Sequence, residues 1–395
     1  MEQFAQTGML FKANIKRDAM KLTVWLVCLA GLFVITASKY NGIYGTKKQI
    51  GTIADTLKSK AMVSLFGPVP HASLTTALIF AGEMIVFMGI FMVIFNYSLA
   101  ISASRGQEES GLTEMLAGGH PVGRLASLAA AALELAFANG IFIIFSGFGM
   151  MGAGLSGASI QGNWLFAVML GLIGWAFGMI ALVFAQLVAD SHNATMFSYA
   201  FFGIVYLMRM STDVANPKYT WLSPFGWIEK GQIYLKNDWL PVLLLAALGL
   251  AALGIAFALN SQRDINAGII QVHDGKKSSK FLRGPATLLI YDQRTVGNFW
   301  LFGMALLGAS YGSVFNSISK IYNTTPVVRE VLGTAGLNKL AKVQLITFVN
   351  VLGTIFSVLA IIAGAMVMSS LYSQEKKGYL QLVHSKPQSR TYLFL

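Results

Sequence analysis

The chain has 395 residues, of which 55% are hydrophobic and only 12% are charged. Soluble domains carry about 25% charged residues, so this composition argues against a soluble globular protein, and the hydrophobicity excludes a disordered one. The net charge of +12 is typical of basic loops that face anionic lipid head groups, and it does not call for a nucleic-acid partner. The single cysteine, Cys28, cannot form an intrachain disulfide.

Long apolar blocks predict an all-α, polytopic membrane protein, because several reach the roughly 18 uncharged residues that mark a membrane-spanning helix. About eight spans are predicted, at 22–38, 74–102, 125–148, 164–188, 194–208, 240–259, 299–314 and 345–371. Basic residues precede the first span and occupy the loop 260–298, Arg263 among them. This distribution weakly favours an N-terminus on the inner, cytoplasmic side.

Two features of the spans predict local structure. Gly174 and Gly178 form a G-x-x-x-G pattern in the fourth span, which is typical of closely packed membrane helices. The segment 211–239 is rich in tryptophan and tyrosine, and such rings settle at the membrane–water boundary. We therefore expect short interfacial or re-entrant helices between the fifth and sixth spans.

An internal repeat relates the polar segment after the second span, 105–124, to the segment after the eighth, 373–390. The matched residues are Glu108, Gly111, Pro121 and Arg124 in the first segment and Glu375, Gly378, Pro387 and Arg390 in the second. The same order of spans and loops surrounds both, which predicts a parallel repeat of a six-helix unit. The first unit would be 1–265, and the second, 266–395, would be a partial copy with two spans. Its other four spans would lie in a continuation of the chain or in another polypeptide.

Enzymatic motifs are missing from the sequence. There is no G-x-x-x-x-G-K-[ST] phosphate loop and no G-x-S-x-G elbow, and the five histidines are scattered without metal-ligand spacing. The sequence thus predicts no catalytic residue, no metal site and no nucleotide site on this chain.

The segment 105–124 has the pattern of a short amphipathic helix just inside the membrane. Arg105 precedes Glu108 and Glu109 by one helical turn, so ion pairs can form. Leu112, Met115 and Leu116 share an apolar face, which ends at Pro121. The plainer alternative is a solvated connector, but a connector has no reason to recur with the same residues in a second copy.

This pattern, R-x-x-E-E-x-G-x-x-E-x-L-x-x-x-x-P-V-x-R, resembles the ABC-2 type permeases, and with L-S-P-F-G-W at 222–227 it is similar to the bacterial exporters of polyketide antibiotics. The second copy departs from the pattern at Tyr372, Lys376 and Gln381. The resemblance implies the permease subunit of an ATP-driven exporter in a bacterial plasma membrane. ATP and Mg would bind to separate ABC ATPase subunits, two copies being expected, with no cofactor on this chain. The cargo would be a small amphiphilic or hydrophobic compound, such as a drug or antibiotic.

In such a permease the duplicated segment is the coupling helix that docks on the ATPase. The residues implied in coupling are Arg105, Glu108, Glu109, Gly111, Leu112, Glu114, Met115, Leu116, Pro121 and Arg124, with Glu375, Gly378, Pro387 and Arg390 in the second copy. The N-terminal stretch 3–21 would be an amphipathic elbow along the inner leaflet.

Two carboxylates lie inside predicted spans, Glu83 and Glu134, and the repeat aligns Glu83 with Asn350. An intramembrane charge costs at least about 2.5 kcal/mol, so each must be neutral, paired or beside water. We expect these three residues to line a translocation path, and the alternative is an interhelical hydrogen bond that only holds the bundle. A secondary transporter with Glu83 or Glu134 as proton carrier and a non-transporting scaffold are the rival functions.

Overall fold

The computed structural model describes residues 3–263, except 59, 69–73 and 120, together with 268–270 and isolated positions from 287 to 308 and from 346 to 368. The chain forms two units, Met1–His273 and Asp274–Leu395. In the second unit the described positions are helical. The predicted seventh and eighth spans are described only in part, and Glu375, Gly378, Pro387 and Arg390 lie outside the described residues.

Every regular element among the described residues of the first unit is helical. The helices are α1 Thr7–Ile43, α2 Lys47–Leu57, α3 Lys60–Phe66, α4 Thr76–Ala103, α5 Arg105–Glu109, α6 Leu112–Gly119, α7 Ala126–Gly152, α8 Ile160–Leu187, α9 Ser191–Ala215, the 3-10 helices η1 Pro217–Leu222 and η2 Pro224–Gly226, α10 Trp227–Lys230 and α11 Leu240–Gln262. In this part of the chain α1, α4, α7, α8 and α11 are long and apolar enough to cross a membrane. The predicted all-α polytopic membrane fold is confirmed.

The ends of the long helices gather on two sides of the bundle. On the N-terminal side, the N–H of Leu125 before α7 donates to the carbonyl of Gln3 at 3.0 Å. On the opposite side, Asn41 near the end of α1 bonds the loop that follows α7, at Gly154 and Ser156. The segment α5–α6 therefore lies on the N-terminal side, and α2, α3 and α10 lie on the opposite side.

Polar side chains mark where three of the long helices begin. Thr75, Ser159 and Asp190 precede α4, α8 and α9, and each side chain accepts a backbone N–H from the first turn. Such N-caps satisfy donors that have no partner within the helix. These boundaries agree with the predicted spans to within a few residues, because the caps adjoin the apolar runs.

The centre of the bundle is α8, which contacts α4, α7, α9 and α11. Gly174 and Gly178 face a pair of buried amides, Asn96 on α4 and Asn139 on α7. The two amides exchange hydrogen bonds of 2.6 and 3.1 Å between their side chains. The prediction that the G-x-x-x-G pattern marks close packing is confirmed, because a Cβ at Gly174 would overlap the amide nitrogen of Asn96.

Gly174→Ala is expected to lower the free energy of unfolding by about 1–3 kcal/mol, because the added methyl group overpacks this junction. Gly140→Ala, on α7, is the matched control, since no neighbouring atom lies within 4 Å of its added Cβ. It should instead stabilise the protein by up to about 1 kcal/mol through helix propensity. Unfolding in mixed micelles would measure both, and a neutral Gly174→Ala would contradict the packing at this junction.

The first helix differs from the prediction. Residues 7–21 do not form a separate elbow, because α1 continues unbroken from Thr7 through the apolar run to Ile43. Leu10, Asn14 and Asp18 are buried at a spacing of one helical turn, and Leu10 packs on the start of α7. A helix with such a buried stripe is stabilised by packing along its partner rather than by lying on a lipid surface.

The fifth predicted span is part of a longer helix, and the aromatic segment after it forms short helices. Helix α9 extends beyond the predicted 194–208 at both ends, because Asp190 caps its start and an ion pair between Arg209 and Asp213 lies within its last turns. The predicted short helices in 211–239 are confirmed as η1, η2 and α10.

Candidate functional site

The segment 105–124 forms two helices where one was expected. Gly111 separates α5 from α6 and has a φ of +70°. This left-handed backbone costs little for glycine and is unfavourable for residues with a Cβ, so it ends α5 and redirects the chain. The two helices consequently present different residues to the bundle and to the exterior.

Arg105, the first residue of α5, is buried in the bundle. Its guanidinium donates to the carbonyl of Ala185 at 2.9 and 2.6 Å, near the end of α8 where carbonyls lack helical partners. It also forms the predicted ion pair with Glu108, at 2.7 Å. Because the side chain of Arg105 is buried, we assign it to holding α5 against α8 rather than to a surface contact.

Glu108 joins α5 to the chain after α11. Its carboxylate accepts two hydrogen bonds from Arg263, one of 3.0 Å from Nη1 and one from Nη2. Arg263 Nε donates to the side chain of Gln186 on α8 at 2.7 Å. The sequence placed Arg263 among basic loop residues facing lipid, and this was wrong, because Arg263 is buried in the network.

The other polar residues of α5 also bond within the chain. Glu109 accepts hydrogen bonds from the backbone N–H of Ser191, at 2.5 Å, and from its hydroxyl, at 2.6 Å, at the start of α9. Gln107 donates to Asn14 of α1 at 3.0 Å, and both side chains are buried. Helix α5 thus bonds to α1, α8, α9 and the end of α11.

Helix α6 is more exposed than α5. Met115 exposes 76% of its surface, and Glu114 is also exposed. Leu112 is half-buried, and Leu116 belongs to the same helix. An exposed methionine on a short amphipathic helix is suited to a protein contact, because its flexible apolar side chain adapts to a partner surface.

The end of the segment is tied to the N-terminus. The N–H of Gly123 donates to the carbonyl of Ala5 at 3.1 Å, and a Cβ at Gly123 would overlap the backbone at Gln3. Arg124 donates to the carbonyl of Arg263 at 2.7 Å. Pro121 lies in the irregular stretch before these contacts. The sequence did not indicate Gly123, because the repeat has a serine at the matching position, 389.

Glu83 and Glu134 lie in opposite halves of the bundle. Glu83 on α4 accepts a hydrogen bond from Tyr40 near the far end of α1. Glu134 on α7 is fully buried next to Asp18 near the start of α1. Tyr40 and Asp18 are six turns apart, or about 33 Å along the helix, so the two carboxyl groups do not share one site.

The structure places both carboxyl groups at contacts between helices, and their role in a translocation path stays a prediction. Neither oxygen of Glu134 accepts a hydrogen bond from a described donor. The carboxylate of Asp18 is itself paired with Arg17 at 2.6 Å, so the charge beside Glu134 is compensated. Asn350 is an exposed helical residue of the second unit, and its role also stays a prediction.

A buried charge cluster on the opposite side was missed by the sequence analysis. Arg209 Nε lies 2.8 Å from Asp213 Oδ2 and 2.7 Å from Glu229 Oε1. All three side chains are buried. Burial raises the pKa of Glu229 to about 8, which the nearby Arg209 cation only partly opposes. The spacing of Arg209 and Asp213 by one helical turn is the signal that could have indicated half of this cluster.

The same arginine fastens α3 to the bundle. Its two terminal nitrogens donate to the carbonyls of Leu65 and Ser64, at 3.2 and 3.0 Å, in the last turn of α3. Gly67 follows with a φ of +89°, and a Cβ there would lie 2.6 Å from the Glu229 carboxyl carbon. A glycine is therefore needed at this position for both its backbone conformation and its close approach.

The described helices define a multi-pass, all-α membrane protein with a polar segment, α5–α6, on its N-terminal side. Over 362 residues the chain is 26% identical to the multidrug efflux system permease protein Rv1217c of Mycobacterium tuberculosis. The alignment covers 90% of this chain and 65% of that relative, so the chain spans less than two thirds of the relative's length. Residues 282–395 match the family described as the C-terminal domain of the multidrug efflux system permease Rv1217c.

Proposed function

We propose that this chain is the membrane-spanning permease of an ATP-driven exporter of the ABC-2 type. The observation that supports it most is the similarity, over 90% of the chain, to a protein named as a multidrug efflux system permease. The cargo would be a small amphiphilic or hydrophobic compound, such as a drug or antibiotic. The spans offer such a compound apolar surfaces and few charges.

In this proposal the ATP and its Mg²⁺ bind to separate ATPase subunits, in two copies, and this chain carries no cofactor. The N-terminal side would face the cytoplasm of a bacterial cell, where ATP is available. Helix α6 supplies the docking surface, because Met115 is largely exposed on it. Closure of the ATPase subunits on ATP would pull this segment and rock the bundle, which opens an outward path for the cargo.

Met115→Glu is expected to reduce recovery of the ATPase with the affinity-purified chain about tenfold, because a charge replaces an apolar side chain at the centre of the contact. The measurement is quantitative immunoblotting or mass spectrometry of the co-purified ATPase at equal membrane abundance of the permease. Ser261→Glu is the matched control, since it adds the same charge at an exposed position on the N-terminal side, at the end of α11.

Recovery of no ATPase with the unmodified chain would contradict the proposed function. Unchanged recovery with Met115→Glu would instead leave the exporter in place and remove α6 as its docking surface. Transport driven by a proton gradient in the absence of any ATPase would favour the secondary transporter.

A further inference from the structure

Helix α5 and helix α6 divide the polar segment into an inward-facing half and an outward-facing half. The polar side chains of α5 bond to α1, α8, α9 and the end of α11. Met115 of α6 is largely exposed. A side chain that is already engaged inside the bundle gains little from a partner protein, whereas an exposed methionine can be buried by one.

We propose that α5 transmits force from the ATPase to the bundle without being part of the docking surface, and that Arg263 is the positioning residue that extends this transmission to the end of α11. The inference rests on the proposed function. It assigns docking to α6 and transmission to the link between Glu108, Arg263 and Gln186.

Arg263 is placed to fasten α5 to two membrane-spanning helices at once. It follows α11 directly, and its guanidinium bonds both the carboxylate of Glu108 on α5 and the amide oxygen of Gln186 on α8. A planar guanidinium can serve two acceptors with fixed geometry, and it remains charged when buried. A displacement of α5 therefore moves the ends of α8 and α11 with it.

The shortness of α5 explains why it depends on side-chain contacts such as this link. Helix α5 contains only Arg105–Glu109, and Gly111 separates it from α6. A short helix followed by a glycine cannot hold its orientation by its own hydrogen bonds, because isolated helices of this length are unstable. Without its side-chain contacts, α5 would yield when α6 is pulled, and the motion would not reach the spans.

Arg263→Gln is expected to leave ATPase recovery within about twofold of the unmodified chain and to lower the amount of cargo moved per ATP hydrolysed about tenfold. Arg263→Lys keeps the charge but loses the planar geometry, so the amount of cargo moved per ATP hydrolysed should be intermediate. This variant provides the measurement if Arg263→Gln folds poorly. Lys12→Gln is the matched control, because it removes an exposed cation on the same side without touching the network.

The experiment uses proteoliposomes that contain the permease with its co-purified ATPase, and a fluorescent amphiphilic cation as the transported probe. A second arm repeats Arg263→Gln in the Glu108→Gln background, where it should add little to the loss, because a neutral amide has already replaced the carboxylate that Arg263 bonds. Met115→Glu should show the reverse pattern, with lost docking and an unchanged ratio for the complexes that remain.

Three outcomes would overturn the inference. Loss of ATPase recovery with Arg263→Gln would put α5 in the docking surface. An unchanged transport ratio would show that the link carries no force, and full additivity with Glu108→Gln would show that the two residues act separately. In each of these the unmodified chain still binds the ATPase, which distinguishes them from failure of the proposed function, where it binds none.

Discussion

Arg209→Met is expected to lower the free energy of unfolding by about 3–5 kcal/mol at neutral pH, the largest loss that we expect from a single substitution in this chain. Arg209 is buried between the carboxyl groups of Asp213 and Glu229. Its removal leaves two buried acidic groups without their cation, and the methionine keeps an unbranched apolar stem but no charge. The cost is that of an uncompensated charge in a site with little water.

The loss should also appear as a local change on the opposite side of the bundle. Arg209 bonds the last-turn carbonyls of α3 at Ser64 and Leu65, so these carbonyls would lose this donor, and α3 would be held less firmly. Limited proteolysis near α3 should therefore become faster in Arg209→Met, in addition to the shift of unfolding in mixed micelles with rising SDS.

Lys230→Met is the matched control for this prediction. Lys230 lies next to Glu229 in the sequence, and its ammonium group donates to the exposed carbonyl of Pro217 at 2.7 Å. Because a solvent-exposed contact of this kind contributes little, the change should cost less than about 1 kcal/mol. Equal losses for the two variants would mean that the buried cluster stabilises the fold no more than a surface contact does.

The sequence was sufficient to predict the long helices, because each span is a local run of apolar residues and its length is fixed by the bilayer. It also predicted the packing at Gly174 and the short helices after α9, since small residues and aromatic girdles are local patterns. The break at Gly111 was missed, because a glycine in a motif was read as part of one amphipathic helix. Its left-handed conformation is a backbone property that spacing alone does not show.

Apart from the ion pair between Arg105 and Glu108, the contacts of the polar segment described above could not be predicted, because their partners are distant in the chain. Glu108 and Arg263 are separated by 155 residues, and Glu109 and Ser191 by 82. Only the packing of the helices brings these residues together, so the sequence pattern could pair Glu108 and Glu109 with their neighbour Arg105 but not with Arg263 and Ser191. The burial of Asp18 was missed for a related reason. A charged residue just before a span is typical of a segment that faces lipid head groups, and only the packing of α7 buries it.

Glu229→Gln is expected to remove a pH dependence of stability that the unmodified protein shows between about pH 4.5 and pH 8. Burial raises the pKa of this carboxyl from 4.5 to about 8 in the folded protein. Within this window the folded chain keeps the proton on Glu229 and the unfolded chain has lost it. Stability therefore falls as the pH rises, by up to about 1.4 kcal/mol per pH unit, and is independent of this group above pH 8.

A glutamine at position 229 does not titrate, so the free energy of unfolding of Glu229→Gln relative to the unmodified protein should rise steadily from pH 5 to pH 8 and then level off. Unfolding in mixed micelles at several pH values measures this difference. Ile228→Val, a buried neighbour on α10, is the control, since it should weaken packing by about 1 kcal/mol at every pH. A difference for Glu229→Gln that stays constant with pH would show that Glu229 is already ionised in the folded protein. Arg209 would then be neutralising both carboxylates of the cluster, with its guanidinium bonded to Asp213 on one side and paired with Glu229 on the other.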